Sequence, residues 1–360
     1  MIDWQSDEIH LLLNPRMPLE ERRVLERAAG RVTLPAHVLI ASSGSTGAPR
    51  LVALSKAAIL ASAAAVNRHL DATGSDVWCS VLPQFHVGGL GIHARAAITG
   101  ARVTSALWDA ESFTRLCAAE RVTLSALVPA QVVDLVRAGL IPPPSLRAVV
   151  VGGGALSDEA YKRARSLGWP VLPSYGMTEC CSQVATATHT SPDLVILDHL
   201  QVRSVEDGRL AISGASLLTG YVDPEGGLID PKREGWFVSS DLGLVEGRKM
   251  RVFGRVDDLV KIGGELVSVA RLERLLESVQ NDADAALVVV EDARLGSAIH
   301  LATSATDPER IVEAFNARAH PFERIRRVHR VEAIPRGSLG KVRREELKRV
   351  VARLLADEPG

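Results

Sequence analysis

The stretch Ser42-Ser43-Gly44-Ser45-Thr46-Gly47-Ala48-Pro49-Arg50 gathers hydroxyls, two glycines and a closing cation within nine residues. Small side chains let successive backbone amides turn into one concavity, where amides and hydroxyls together can hold phosphate oxygens. A flexible Gly/Ser turn has the same composition, so the stretch alone leaves both readings open. Gly47 is followed by Ala48-Pro49-Arg50 rather than by Lys and then Ser or Thr, which separates it from the loop of the common nucleoside triphosphatases. A second cluster, Gly152-Gly153-Gly154, follows the β-branched run Val149-Val150-Val151 and precedes Ser157, a helix cap with Asp158 and Glu159 behind it. Strand, glycine turn and capped helix make a ligand-facing corner in an open α/β sheet.

The order of residues in the 42–50 loop resembles the signature loop of the adenylate-forming superfamily, which includes acyl-CoA synthetases, luciferases and peptide-synthetase adenylation domains. That family usually closes the loop with Lys. Arg50 stands here instead, always charged and able to bind phosphate through two parallel bonds. The resemblance continues in Ser174-Tyr175-Gly176-Met177-Thr178-Glu179, similar to the family's Tyr-Gly-x-Thr-Glu motif. It implies that Tyr175 lies against adenine, that Thr178 meets the α-phosphate and that Glu179 is a ligand of Mg²⁺. Gly153, Gly154 and Ala155, with Ser174 and Gly176, match positions that border the nucleotide. Asp241, in Gly235-Trp236-Phe237-Val238-Ser239-Ser240-Asp241, matches the ribose-binding carboxylate, although Ser239-Ser240 replaces the usual Thr-Gly.

Further along, Gly254-Arg255-Val256-Asp257 resembles the segment in which the Arg touches ribose or phosphate and the Asp is the pivot of a small C-terminal domain. Gly263 and Gly264 then match a loop that swings over the site when CoA is bound. Gly337-Ser338-Leu339-Gly340-Lys341 resembles the closing motif and makes Lys341 the mobile catalytic lysine. Phe85-His86 matches the aromatic or His that lines the acyl pocket, with His86 counted among the catalytic candidates; a hydrogen-bonded core histidine is the other reading.

A carboxylate does not react with a thiol at neutral pH, because its oxygen is a very poor leaving group. Activation by ATP brings two anions together, which requires preorganised positive charge. The resemblance therefore implies an ATP-dependent, AMP-forming acid–thiol ligase that uses Mg²⁺ and passes the acyl group to coenzyme A. The run Phe85-His86-Val87-Gly88-Gly89-Leu90-Gly91-Ile92 followed by Arg95, with Ile262-Gly263-Gly264-Glu265, is most similar to the o-succinylbenzoate CoA ligases of menaquinone biosynthesis. Their substrate is an aromatic keto-diacid, and Arg95 is the candidate for holding its non-reacting carboxylate; a helix-surface arginine is the alternative. Another aryl- or acyl-CoA synthetase, an adenylation domain serving a carrier protein and a non-catalytic nucleotide sensor are the competing functions. The nineteen residues after Lys341 leave no room for a carrier domain, which favours free CoA.

The 360 residues suggest two domains: 1–256, binding nucleotide and acyl group, and a mobile domain, 257–360, carrying the catalytic lysine. The expected fold class is α/β, a large domain with stacked sheets and an antiparallel β region, plus a small α+β C-terminal domain. A net charge of -1 gives no global attraction to nucleic acid or anionic membrane. Residues 77–94 lack Asp, Glu, Lys and Arg, but Pro83, Gln84, His86 and three glycines rule out a bilayer helix. Four cysteines without CxxC spacing suit a reducing cytoplasm. The small partners are thus a carboxylic acid, ATP and CoA. Relatives carry a longer region before the first loop, so a sheet edge is expected to need covering, with a homodimer as one way to do so.

Elements that must position these groups follow from periodicity. Helices are expected over 19–29, from Ser55 onward, over 109–121, 270–280 and 307–320. Strands are expected over 38–41, 76–83, 123–128, 147–151 and 170–173, with an antiparallel region containing 208–212 and 216–221. Strands at 286–290, 300–303 and 326–332 complete the small domain. Arg318, Arg324, Arg326, Arg327 and Arg330 form a basic cluster, either a solvated face or a surface for CoA phosphates.

Overall fold

The computed structural model describes residues 2–43, 49–280, 284–292, 294–337 and 340–356. By contact the chain divides into two compact units: Met1–Ser239 with Gly243–Val252, and Ser240–Leu242 with Phe253–Gly360.

The first unit opens with β1 (His10–Leu12), α1 (Leu19–Ala29), β2 (His37–Ser43), β3 (Pro49–Ser55) and α2 (Lys56–His69). An alternating stretch follows: β4 (Val77–Ser80), α3 (Val87–Thr99), β5 (Arg102–Ser105), α4 (Ala110–Ala119), β6 (Leu124–Leu127), α5 (Pro129–Arg137), β7 (Ala148–Val151), α6 (Asp158–Ser166) and β8 (Val171–Met177). Short strands then dominate: β9 (Ser182–Thr186), β10 (Leu194–Ile196), β11 (Leu200–Ser204), β12 (Arg209–Gly214), β13 (Gly220–Val222), β14 (Leu228–Ile229), β15 (Phe237–Glu246) and β16 (Lys249–Arg255), of which Ser240–Leu242 and residues 253–255 group with the second unit.

One sheet runs β1-β2-β3-β13-β14, and a larger one runs β11-β12-β15-β16-β10-β9-β8-β7-β6-β4-β5. Neighbours from β5 to β8 are parallel, and β8 with β9 turns the sheet antiparallel. The segment 49–55 departs from expectation. It is a strand, antiparallel to β2 from His37↔Ser55 to Ser43↔Pro49, so the first glycine-rich loop joins a hairpin rather than leading straight to a helix. Leu51, Val52, Ala53 and Leu54 are all fully buried, and a strand sheathed on both faces loses the alternation that would reveal it. The helix does begin where expected, with Ser55 Oγ accepting from Ala58 N at 3.1 Å. Residues 208–212 and 216–221 also part company: the former lie in β12 of the large sheet, whereas Tyr221 lies in β13, paired with Val52 of β3.

The outer edge of β2 is covered by β1 in parallel register, so that edge needs no second copy of the chain. The ammonium of Lys56, 2% exposed, holds the preceding segment by donating to Asp3 O (2.6 Å), Ser6 O (2.7 Å) and Ser6 Oγ (2.9 Å). Three acceptors offset the desolvation of the charge. At the amino ends of β4, β6 and β7, buried Asp76 accepts from Thr123 Oγ1 (2.6 Å) and Arg147 Nη2 (2.9 Å). The core on one face of these strands includes Cys79, Phe113, Cys117, Leu135 and Trp169; on the other it includes Val66, Trp78, Ile92 and Leu172.

The second unit contains β17 (Leu259–Ile262), β18 (Glu265–Ser268), α7 (Val269–Glu277), β19 (Ala285–Asp292), β20 (Gly296–Thr303), α8 (Pro308–Asn316), β21 (Ile325–Arg330) and α9 (Arg344–Ala356). β19 and β20 are antiparallel and β21 joins β20 in parallel. Leu272, Leu276, Ile311 and Phe315 pack with Leu287 and Leu301, while Leu347 and Val351 of α9 pack with Ala286 and Val288. Among the described residues no helix is long and apolar enough to cross a membrane.

Two expectations test these contacts. A Cβ on Gly176 would lie 1.9 Å from Ser182 O, because β8 and β9 shift register there. Gly176→Ala should therefore destabilise the protein by roughly 3 kcal/mol in urea unfolding, as overpacking against backbone does. In the second unit, His300 Nδ1 and His329 Nε2 lie 2.8 Å apart on adjacent strands. Burial, the neighbouring His329 and Arg327 push His300 down to about 4, and burial with Arg327 lowers His329. Both rings are neutral when folded, whereas in the unfolded chain they titrate near ~6.5. The unfolded state therefore binds more protons between these values. The stabilisation is complete above about pH 6.5 and is lost as pH falls through the folded values. The urea midpoint should decrease from pH 7.5 to 5, and His300→Asn should flatten that decrease.

Candidate active site

The parallel strands reverse direction of growth between β4 and β6, and in such sheets the crevice at the carboxyl ends of the strands is where ligands bind. Three expected segments leave that edge. Phe85 and His86 follow β4, their rings 4.7 Å apart, and His86 O accepts from Leu90 N at 2.9 Å as α3 starts. Gly153, Gly154 and Ala155 follow β7 and are exposed. A Cβ on Gly152 would lie 2.9 Å from Ser174 Oγ, and one on Gly153 would lie 3.4 Å from Val128, so the turn packs against the next strand. Gly153 also has φ +79°, which favours glycine.

The third segment lengthens the strand expected over 170–173: Ser174, Tyr175, Gly176 and Met177 form the end of β8, paired with β9. Ser174 Oγ donates to Val151 O at 3.1 Å, tying this strand end to the glycine turn. Gly176 is demanded by the backbone of Ser182 rather than by ligand approach alone. Thr178, Glu179 and Cys180 then form a single 3₁₀ turn that leaves Thr178 and Glu179 half-buried. Glu179 Oε1 accepts from Tyr221 Oη at 3.0 Å, and the Tyr221 ring lies 5.5 Å from the Arg50 guanidinium carbon. Burial and the adjacent Glu179 raise the phenol, which stays a donor. Tyr221 was missed as a site residue: Gly220-Tyr221 carries no chemical signature, and its partner is distant in sequence. Of the phosphate loop, Ser42 pairs with Arg50 across the hairpin. Gly44, Ser45, Thr46 and Gly47, and the side chain of Ser43, lie outside the described residues.

Among the described residues no three His, Cys, Asp or Glu side chains gather as a self-sufficient metal site. Glu179 beside Thr178 still fits Mg²⁺, which is held by one or two carboxylates together with substrate phosphates rather than by a protein cage.

Arg95 is not a helix-surface residue. It is 2% exposed on α3, with Nη2 donating to Ser182 Oγ at 3.3 Å and the guanidinium 5.5 Å from the Trp78 ring. Gly91, one turn earlier, leaves the space: a Cβ there would lie 3.0 Å from Arg95 Nη2. Nε and Nη1 of Arg95 have no acceptor among the described residues, and Trp78 Nε1 likewise has none. Burial lowers the guanidinium to about 10, so it stays charged at neutral pH. A buried cation with two unused donors suits an anionic ligand group.

In the second unit, Asp241 Oδ1 faces Arg255 Nη1 at 3.4 Å. Lys341 belongs to the same electrostatic neighbourhood. Although the residue is exposed overall, desolvation and then Arg255 lower its ammonium, Arg344 adds to this, and Asp241 and Asp258 oppose it. Its loop is braced by Arg336, which donates to Gly340 O (3.0 Å) and Asp284 Oδ1 (2.8 Å), and by Gly337 N to Lys341 O (2.7 Å). Arg344 bridges buried Asp258 and Glu273, the latter at 2.7 Å; neither Arg344 nor Asp258 was expected from sequence. The backbone of Asp257 lies in a 3₁₀ turn, and its side chain is outside the described residues. Gly263 and Gly264, with φ +60° and +92°, are the two-residue turn between β17 and β18. In the basic cluster, Arg326 and Arg330 donate to the backbone carbonyls of Pro321, Ala305 and Thr306, which accounts for them structurally.

Comparison with known proteins agrees with this geometry. Residues 35–222 match the family described as AMP-binding enzyme. The chain is 32% identical over 334 residues to the "Probable 2-succinylbenzoate–CoA ligase" of Mycobacterium tuberculosis, covering 87% of this chain and 84% of that protein. It superposes with TM-score 0.78 and 25% identity on the o-succinylbenzoate CoA synthetase of Bacillus subtilis in complex with the acyl-adenylate intermediate, over 86% of this chain and 68% of that one. The same Bacillus subtilis enzyme in complex with ATP and magnesium ion gives TM-score 0.76 at 25% identity, over 86% and 69%. With the glycine corner, the Tyr-Gly-x-Thr-Glu strand end and the large and small units all present, the chain belongs to the family of AMP-binding enzymes.

Proposed function

We infer that the protein is an ATP-dependent, AMP-forming acid–thiol ligase that joins o-succinylbenzoate to coenzyme A in menaquinone biosynthesis. The observation that carries the choice of acid is Arg95, a buried guanidinium with two donors unused, placed behind the Phe85-His86 segment that opens the same helix. A diacid offers one carboxylate to such a cation and keeps the other for reaction. Relatives named for this ligase activity support the same choice.

In the first half reaction one carboxylate oxygen attacks the α-phosphorus of ATP, the bond to the bridging oxygen breaks and pyrophosphate leaves. Arg50 and the Ser42–Gly47 loop hold the departing phosphates, Thr178 contacts the α-phosphate, and Lys341 compensates the meeting of two anions. Tyr175, with Gly153, Gly154, Ala155, Ser174 and Gly176, borders the adenine, while Asp241 and Arg255 take the ribose. Mg²⁺ held by Glu179 would supply further neutralisation of the phosphates. In the second half the CoA thiol, losing its proton, attacks the acyl carbon and AMP departs. Lys341 must then yield its place, so the smaller unit turns about Asp257 and presents the Gly263-Gly264 turn. Nothing in this scheme requires a second copy of the chain. Four free, buried cysteines are compatible with a cytoplasmic setting.

Incubation with o-succinylbenzoate, ATP and CoA should release AMP and pyrophosphate and yield the thioester; ADP and phosphate instead would overturn the assignment. Lys341→Ala should nearly abolish adenylation yet leave thioester formation from supplied acyl-adenylate within a few-fold of wild type. Equal loss in both halves would refute the division of labour. Arg95→Met should lower kcat/KM for o-succinylbenzoate by about 30-fold or more, as for a desolvated charge pair losing one partner. Against 4-oxo-4-phenylbutanoate, which lacks the aromatic carboxylate, the two proteins should differ little.

A further inference from the structure

We propose that Tyr221 is a positioning residue for the metal-binding carboxylate, fixing Glu179 from the neighbouring sheet, and that Arg50 completes this support by stacking on the Tyr221 ring. The inference rests on the ligase reading, in which Glu179 holds Mg²⁺. Its basis is geometric. Glu179 sits in a one-turn 3₁₀ segment, which cannot by itself fix a three-torsion side chain. Tyr221 Oη donates to Oε1 at 3.0 Å, which occupies one oxygen and leaves the other to a cation.

Tyr221 is in turn held rigidly. Its strand pairs with β3, with Tyr221 opposite Val52. The preceding residues are pinned by Leu218 N to Glu179 O (2.7 Å), by Lys232 Nζ to Leu218 O (2.7 Å) and Thr219 O (3.1 Å), and by His37 Nε2 against Thr219 Oγ1 (2.8 Å). Leu218 thus touches the backbone of the very residue whose carboxylate Tyr221 orients. Arg50, the residue that closes the phosphate loop, lies over the Tyr221 ring, its guanidinium carbon 5.5 Å from the ring centroid. A planar guanidinium stacks on an aromatic face better than an ammonium does, which gives a physical reason for Arg at a position where relatives use Lys. Loop and metal carboxylate are thereby supported by one phenol.

Mn²⁺ replaces Mg²⁺ as the probe, with free Mn²⁺ read by electron paramagnetic resonance in the presence of saturating ATP, and ATP affinity measured separately in EDTA. Tyr221→Phe should bind Mn²⁺ about 5- to 10-fold more weakly in the ATP complex, with metal-free ATP affinity within twofold of wild type. An unchanged Mn²⁺ affinity, or an equal loss with and without metal, would overturn the proposal, the latter because it marks a merely structural role. Should Tyr221→Phe fail to fold by circular dichroism, Arg50→Lys keeps the charge and the phenol while weakening the stack. It should shift Mn²⁺ affinity in the same direction by two- to threefold, and no shift would overturn the proposal. Wild-type protein that binds ATP with no metal dependence would refute the ligase reading together with the proposal, whereas wild-type metal dependence unaltered in Tyr221→Phe refutes the proposal alone.

Discussion

Asp76 ties together the amino ends of three parallel strands, β4, β6 and β7, and the segments that leave the far ends of β4 and β7 depend on that tie. Its carboxylate, 6% exposed, accepts from Thr123 at the start of β6 and from Arg147 beside β7 while leading into β4 itself. Parallel strands pinned at one end deliver their other ends to a common edge. The groups that leave that edge, Phe85-His86, Gly153-Gly154 and Ser174 onward, are brought to it by strand direction, and the bond from Ser174 Oγ to Val151 O adds a direct tie between the last two. At the pinned end the Asp76 carboxylate is paired with Arg147, and in open α/β sheets it is the opposite end that binds ligands.

The same logic explains why cations occur in such different states. Lys56 is buried with three acceptors and can do nothing but hold the chain. Arg95 is equally buried but under-satisfied, which is tolerable only where a ligand anion or water completes its bonds. Arg50 and Lys341 remain partly or largely accessible, as their proposed engagement of a transient phosphate requires. Burial alone does not distinguish anchor from recognition group; the count of unused donors does.

A candidate site could be proposed from sequence wherever the chemistry dictates residue type locally. Glycines at a phosphate or adenine edge and Thr178-Glu179 beside an aromatic are contiguous, so a single strand end carries the pattern. Helix starts at Ser55, Ser157 and Asp307 were legible for a similar reason, since a cap oxygen and the backbone N–H that donates to it lie within three residues. β3 was hidden, because a strand buried on both faces has no period-two signal. Arg95 left two readings because an Ala-rich helix gives no clear polar face, and its burial is decided by Ser182 and Trp78 from other strands. Tyr221 was invisible as a candidate from sequence because its partner Glu179 is 42 positions away, in a 3₁₀ turn outside the sheet that holds Tyr221. Arg344 and Asp258, 86 positions apart, were hidden in the same way.

In the smaller unit the bracing of Lys341 follows from what its proposed task demands. A lysine that must meet a developing charge needs a fixed backbone and a free ammonium. Arg336 and Gly337 supply the first by closing the 336–342 turn, without taking up the Lys341 side chain. Desolvation first, and then the cations Arg255 and Arg344, lower the affinity of that ammonium for its proton, while Asp241 and Asp258 restore part of it. The balance leaves a charged group in a crowded cationic setting, which an incoming phosphate relieves. An isolated surface lysine would gain less from the same anion, because water already satisfies it. In the proposed adenylation role such crowding enlarges the gain from an arriving negative charge, which favours differential binding of the transition state.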